Sequence, residues 1–275
     1  MQAVVITGIA QGMGREVARL LAQSQTPVAG FDVDVEGIAA LQAELDGVGC
    51  PHLLTTLDIT DRRGILHFRD MVLDKFARVE AVLSNVGIGF FGPFEEVDLG
   101  KALKCLDINV IGTAAIFQAF IPSMRANRSG KLIAVSSLVG QIPFPFESIY
   151  SASKFAVEGL VLSLRYEVEP FGIKVALIRP AQVSTAFAAK IHQRPPQSSP
   201  YWARVDRFIK RDDELIKSAP TPAQAAAEIV KVIRAASPKL HNQIDWKSQL
   251  FLTLNRLLPQ RIRDALLLHQ MDIKV

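Results

Sequence analysis

Tyr150 and Lys154 stand four residues apart in Tyr150-Ser151-Ala152-Ser153-Lys154, and Ser137 lies thirteen residues before the tyrosine. At that spacing on a helix a phenol and an ammonium share one face, so the positive charge favours the ionised phenol. A free phenol with a pKa of about 10 is a poor base at neutral pH, whereas one beside a lysine is a tuned acid/base. Moving a hydride onto a carbonyl leaves an alkoxide, and its transition state needs a proton donor and a polarising hydrogen bond at the same oxygen. Tyr150 and Ser137 suit those two parts, with Lys154 tuning the first. Ser137 can also be read as an ordinary strand-end hydroxyl, and Ser136 offers the same group one position earlier; the thirteen-residue gap favours Ser137. The bland alternative for Tyr150 and Lys154 is an exposed helix pair held by aliphatic packing.

A hydride needs a carrier, and Thr7-Gly8-Ile9-Ala10-Gln11-Gly12-Met13-Gly14 offers a place for one. The missing β-carbons of Gly8, Gly12 and Gly14 let a pyrophosphate approach backbone amides at the positive end of the helix that follows. Alone, a glycine triplet reads equally as a tight strand-to-helix turn. Asp32 strengthens it: eighteen residues beyond Gly14 it ends the run Val28-Ala29-Gly30-Phe31, where a carboxylate accepts both adenosine ribose hydroxyls and repels a 2′-phosphate. Strand ends also carry an aspartate to cap the next helix, a part Asp34 can take instead. With no Lys or Arg in the turn before Gly12 or just after Asp32, the sequence favours NAD over NADP.

The elements that position these groups alternate. Short apolar runs at 3–7, 27–31, 53–57, 81–84, 131–136 and 174–178 read as buried strands, and helix-period patterns fill 14–23, 35–45, 62–76, 101–124, 149–168 and 221–235. The expected fold is α/β: a Rossmann-type, doubly wound parallel sheet of about seven strands in a single domain. Residues 1–240 form the catalytic domain. Pro195-Pro196, Ser198-Ser199-Pro200 and Tyr201-Trp202 break the rhythm, so 184–217 reads as a substrate-loop insertion before the last core helix. Residues 241–275 read as an amphipathic helical tail, rich in Leu with Lys247, Arg256, Arg261 and Arg263 interspersed.

Composition narrows the class. At 275 residues and 49% hydrophobic, the chain can bury one substantial core. A pI of about 9.1 invites thoughts of nucleic acid, yet the net charge is only +4 and no dense basic run appears, so nucleic-acid binding is not expected. Cys50 and Cys105 are too few and too distant for a disulfide framework or a metal site, and the first residues lack a basic signal-peptide start; a cytoplasmic protein with no bound metal is expected. No uninterrupted apolar run reaches the roughly 18 residues of a membrane span. The tail either packs on the body, over the substrate mouth or a second subunit, or makes peripheral contact with a lipid surface.

From Ala3 to Ala235 these motifs resemble the short-chain dehydrogenase/reductase family. Thr7–Gly14 is similar to its TGxxxGxG turn, Ser84-Asn85-Val86-Gly87 to its NNAG element and Pro180-Ala181-Gln182-Val183-Ser184-Thr185 to its PGxxxT segment. The resemblance implies that Asp58 and Ile59 meet the adenine, that Thr185 meets the nicotinamide carboxamide with Pro180 and Val183 beside it, and that Asn109 holds a water against Lys154 as a proton relay. It also implies a homodimer or homotetramer. Read on its own, an asparagine inside Asp107-Ile108-Asn109-Val110-Ile111-Gly112 caps or kinks a helix. Val86 and Ala181 depart from the family's alanine and glycine without removing a chemical group.

Ile88, Phe90, Phe91 and Phe94, with Val139, Ile142, Phe144 and Phe146, give the expected pocket apolar walls, or else are ordinary core. The likeness is strongest to the steroid- and retinol-dehydrogenase branch, which implies a hydrophobic secondary alcohol or its ketone. Two rivals stay open: an NADP-dependent carbonyl or acyl-thioester reductase, and a non-catalytic dinucleotide sensor signalling through the insertion or tail.

Overall fold

The first apolar run becomes β1 (Gln2–Thr7), and each later strand joins parallel to a neighbour because a helical crossover separates them. The computed structural model describes residues 1–184 and 194–273. Its sheet comprises β2 (Val28–Asp32), β3 (His52–Thr56), β4 (Arg78–Ser84), β5 (Gly130–Val135), β6 (Ile173–Arg179) and β7 (His241–Gln243) around β1, in the order β3-β2-β1-β4-β5-β6-β7. Val5 lies opposite Ala29 on one side and Val82 on the other. The order reverses between β1 and β4, so the loops leaving their carboxyl ends diverge and open a crevice. That crevice receives both the glycine-rich turn and Asn85.

On one face α1 (Gly12–Gln23), α2 (Val35–Gly47) and α8 (Pro222–Arg234) bury Val17, Leu21, Leu41 and Ile229 against Val4, Ile6 and Ile133. On the other, α3 (Arg62–Phe76), α5 (Gly112–Ala126) and α6 (Ser148–Val168) bury Phe68, Phe117, Phe120, Val157 and Val161 against Val5, Val82 and Leu177. Local chemistry starts these helices: Asp34 accepts from the Gly37 amide, Asp61 from that of Gly64, and Thr221 and Gln224 form a reciprocal capping box.

Three features bear on the sequence reading. The stretch 101–124 is not one helix but α4 (Leu99–Leu106), a π-helical turn at Asp107–Ile111, and α5. This composite is 28 residues long and apolar enough to cross a membrane, yet half of that apolar window is buried inside the fold. Second, the boundary at 240 cuts the sheet too early. The polar His241-Asn242-Gln243 carries no apolar run, but as an edge strand it pairs Leu177 with His241 and Arg179 with Gln243. Third, the tail folds back as α9 (Trp246–Leu257) and α10 (Gln260–Gln270), parted at Pro259. Leu252, Met271 and Ile273 join Val205 and Phe208 of α7 (Trp202–Lys217) in a third apolar cluster, while Trp246, Leu250, Leu254 and Leu257 stay exposed.

Candidate active site

One helix carries most of the candidate catalytic groups. Tyr150, Lys154 and Glu158 recur at i, i+4 and i+8 along α6, all buried. The Lys154 ammonium sits 5.7 Å from the Tyr150 ring centroid and donates to the Val135 carbonyl at 2.9 Å, keeping two further protons to give. Ser137 leaves the end of β5, caps a 3₁₀ turn through the Val139 amide at 3.3 Å, and hydrogen-bonds the Tyr150 phenol. The buried Ser136 hydroxyl has no hydrogen-bond partner among the described residues.

The expectation that Lys154 draws the phenol down is corrected by burial. Desolvation, seconded by the negative charge of Glu147, pushes Tyr150 above its ordinary value, and the bond from Ser137 only partly opposes it. Burial likewise pulls Lys154 down to about 8 from 10.5. The unfolded chain therefore binds a proton that the folded one lacks between those two values, and stability attributable to this group rises with pH across that window. Lys154→Met is expected to abolish turnover yet stabilise the fold by about 1–3 kcal/mol below pH 8, the gain shrinking to nothing near pH 10.5. Urea midpoints of both proteins from pH 7 to 10.5 check this; a mutant less stable than wild type at pH 7 refutes it.

Asn109 lies in the π turn, where its freed side chain closes a small ladder with the segment after β4. Its Oδ1 accepts from the Ile88 amide and its Nδ2 donates to the Ile88 carbonyl, each at 2.8 Å, and to Ser153 Oγ at 2.9 Å. Ser153 in turn donates to the Tyr150 carbonyl at 2.7 Å. A β-carbon on Gly87 would stand 3.4 Å from Lys154 Nζ and 3.5 Å from Asn109 Oδ1, so these two groups flank one small polar space. Ser153 and Cys105, whose sulfur lies 3.4 Å from Asn109 Nδ2, escaped the sequence reading. The signal for Ser153 was its place one turn beyond Tyr150.

The glycine-rich turn fits a dinucleotide. Gly8 and Gly12 have φ of +68° and +57°, and a β-carbon on Gly14 would stand 2.2 Å from the Gly8 carbonyl. Gln11 precedes α1 without a side-chain cap, and no acidic residue occupies the first turn, so the amides at Gly12, Met13 and Gly14 face an anion unopposed. Asn85 Nδ2 bridges the Thr7 and Gly8 carbonyls at 3.2 and 3.0 Å, while the Thr7 hydroxyl accepts the Asn85 and Val86 amides. Asp34 does take the capping task. Asp32 instead accepts the Ala10 amide on one oxygen and the Asp34 amide on the other, both at 3.1 Å, which leaves lone pairs for two hydroxyls. The carboxylate of exposed Asp58 binds its own neighbour Thr60, and Ile59 is buried against Gly112. Pro180 offers its carbonyl to the Leu138 amide at 2.7 Å and Val183 is buried; Thr185 lies outside the described residues.

Phe91, Val139, Ile142 and Phe144 lie with Tyr150 in the third apolar cluster, and Phe146 packs against it. Phe91 and Phe146 meet Phe208 edge-on at 5.4 and 5.6 Å, so α7 packs over the segments that flank the start of α6. Phe94 is exposed instead of lining the pocket, and Ile88 packs into the core between sheet and α5. A cavity of about 430 Å³ opens beside Leu138 and Phe144, walled further by Gln182, Leu215, Trp246 and Phe251. The tail thus supplies one wall. A larger recess, about 550 Å³, at the start of β3 between Asp46, His52 and Lys75 is at the opposite end of the sheet from this chemistry.

Residues 2–196 match the family described as short chain dehydrogenase. The 17-beta-hydroxysteroid dehydrogenase type 1 of Homo sapiens is 30% identical over 270 residues, spanning 93% of this chain and 78% of that protein. Among solved structures, a short-chain dehydrogenase from Streptomyces avermitilis is 28% identical over 93% of both chains, with a TM-score of 0.79. A short chain dehydrogenase/reductase from Burkholderia phymatum in complex with NAD shares the fold at a TM-score of 0.82 and 22% identity, again over 93% of each chain.

Proposed function

Since the chain belongs to the short-chain dehydrogenase family of oxidoreductases, we propose that it interconverts a hydrophobic secondary alcohol and its ketone, with NAD as hydride carrier. The observation that carries this reading is the Tyr150 phenol, buried in an apolar cluster, hydrogen-bonded to Ser137 and backed by Lys154 one turn away. Bound NAD would supply the hydride acceptor and a positive charge beside the phenol. Held protonated by burial, Tyr150 is ready to give its proton to a carbonyl oxygen that Ser137 polarises; in the oxidative direction it must first lose that proton. Lys154 stabilises the ionised phenol and has protons left for a ribose hydroxyl. Asn109 orders the polar space on the far side of Lys154 and so keeps a water path open to it.

The preference for NAD rests on Asp32. Arg15 approaches the Ala10 carbonyl at 3.3 Å but is committed to Glu44, whose carboxyl Arg19 and Arg15 together hold at about 2. Asp32→Ala is expected to weaken NAD binding roughly 10-fold and to narrow the gap to NADP, because two ribose hydrogen bonds go and a repelling charge disappears. Fluorescence titration of the reduced cofactors reads both; tighter binding of NADPH than NADH by the wild type sinks the assignment.

The 17-beta-hydroxysteroid relative supports a large apolar substrate, as do the phenylalanines around Tyr150. A homodimer or homotetramer forms through the long helices, where Ile111 and Phe155 are exposed; light scattering gives the mass, and a monomer rules this out. Both cysteines are free and buried, which suits a cytoplasmic setting. The exposed Trp246, Leu250, Leu254 and Leu257 supply the face for peripheral lipid contact. Sedimentation with anionic liposomes tests that contact, and protein left wholly in the supernatant denies it.

A further inference from the structure

Glu147 occupies the N-cap position of α6 but does not cap it. Its side chain is turned inward instead, following Phe146, whose φ of +64° is a left-handed conformation that an aromatic residue rarely adopts. Only 4% of Glu147 is exposed, and its carboxyl makes no hydrogen bond or ion pair with any described residue. A buried carboxyl without a partner is costly, and structures normally satisfy such groups. Burial holds it well above the usual carboxylate range, and the charge of Asp212 on α7 adds to this. That direction favours the protonated carboxyl, which can both donate and accept.

Position along α6 says what the acid faces. Glu147, Tyr150 and Lys154 follow one another at i, i+3 and i+7 on a single face, with the phenol in the middle. Lys154 lies on the side of the polar space beside Gly87; at the other end of that face the Glu147 amide donates to the Phe144 carbonyl at 3.4 Å, and Phe144 and Leu138 line the cavity. Gln182 donates to Asp212 at 2.9 Å, so the polar groups of this apolar region converge on one corner.

We propose that Glu147 is a specificity-determining residue that hydrogen-bonds a second, uncharged hydroxyl of the substrate, roughly 5 Å from the oxygen that Tyr150 serves, the spacing of neighbouring side chains on one helix face. The preferred substrate is thus a hydrophobic hydroxyketone or the matching diol, not a simple ketone. This rests on the alcohol–ketone reading of Tyr150 and deepens it.

The test compares 1-phenylbutan-1-one with 3-hydroxy-1-phenylbutan-1-one, which adds a single hydroxyl near the carbonyl, as ligands in calorimetric titrations of the full-length protein and as substrates with NADH. Wild type is expected to favour the hydroxyketone about 10-fold in affinity and in kcat/KM. Glu147→Leu should erase that ratio by weakening the hydroxyketone alone, and Glu147→Gln should keep most of it. Thermal melts of each variant establish that it is folded. A wild-type ratio of one, no saturable binding of the hydroxyketone, or an equal loss for both ketones in Glu147→Leu overturns the proposal. A Glu147-dependent binding preference with no consumption of NADH would instead keep the recognition site and refute the redox reading.

Discussion

Tyr150→Phe is expected to lower kcat by about 10²- to 10⁴-fold, the range that a positioned acid or base contributes, while NAD binds as before. The substitution removes one oxygen from a ring otherwise packed among Phe91, Val139 and Phe144, so the apolar cluster and the helix beneath it persist. Ser137 would still polarise the substrate oxygen, and the remaining rate would report that electrostatic part alone. Because the buried phenol sits above its ordinary value, the wild type should be protonated throughout the neutral range in the absence of cofactor. Absorbance of the reduced nicotinamide follows turnover, and fluorescence titration follows binding. Turnover in the mutant within a few-fold of wild type would remove Tyr150 from the mechanism, and with it the reason for placing Lys154 one turn away.

The largest expected stability effect lies deeper in the same helix. Glu158 takes a two-pronged ion pair from Arg179 at the end of β6, at 2.8 and 2.5 Å, with side chains only 4% and 3% exposed. Removing one partner of so buried a pair strands the other charge, and Glu158→Gln or Arg179→Met is expected to cost about 3–5 kcal/mol. Replacing both at once, Glu158→Leu with Arg179→Met, should cost far less, since the cost lies in isolation more than in lost attraction. Urea denaturation of the three variants against wild type measures it. Single losses below about 1 kcal/mol would mean that water reaches the site and screens the stranded charge. Glu158 also supports the charge on Lys154, so its loss should draw the lysine lower still.

The residues of the candidate site were legible because chemistry restricts residue type: few sequences place a phenol, an ammonium and a glycine-rich turn at such spacings by accident. Five strands were legible because burial on both faces demands unbroken apolar runs, as in Val4-Val5-Ile6, and the half-buried edge strand β3 still showed through Leu53-Leu54. His241-Asn242-Gln243 was not, since an edge strand needs only backbone partners. Nor was the π turn, because one added residue barely disturbs a helical pattern of apolar side chains. The direction in which the Tyr150 phenol shifts depends on how completely α7 and the tail cover it, and no local motif encodes that coverage.

The π turn has an evolutionary consequence. Each residue advances an α-helix by about 100°, so the extra one within Asp107–Ile111 sets a phase difference between α4 and α5. Asn109 depends on the unwound turn itself, and Ile116, Phe117 and Phe120 depend on the phase that follows it. Deleting a single residue there would restore an uninterrupted helix and, in doing so, rotate either the asparagine away from Ile88 or three core side chains away from the sheet. Point substitutions can drift through this segment one at a time. Changes of length cannot, so the count of residues between Cys105 and Thr113 is itself part of what the active site inherits.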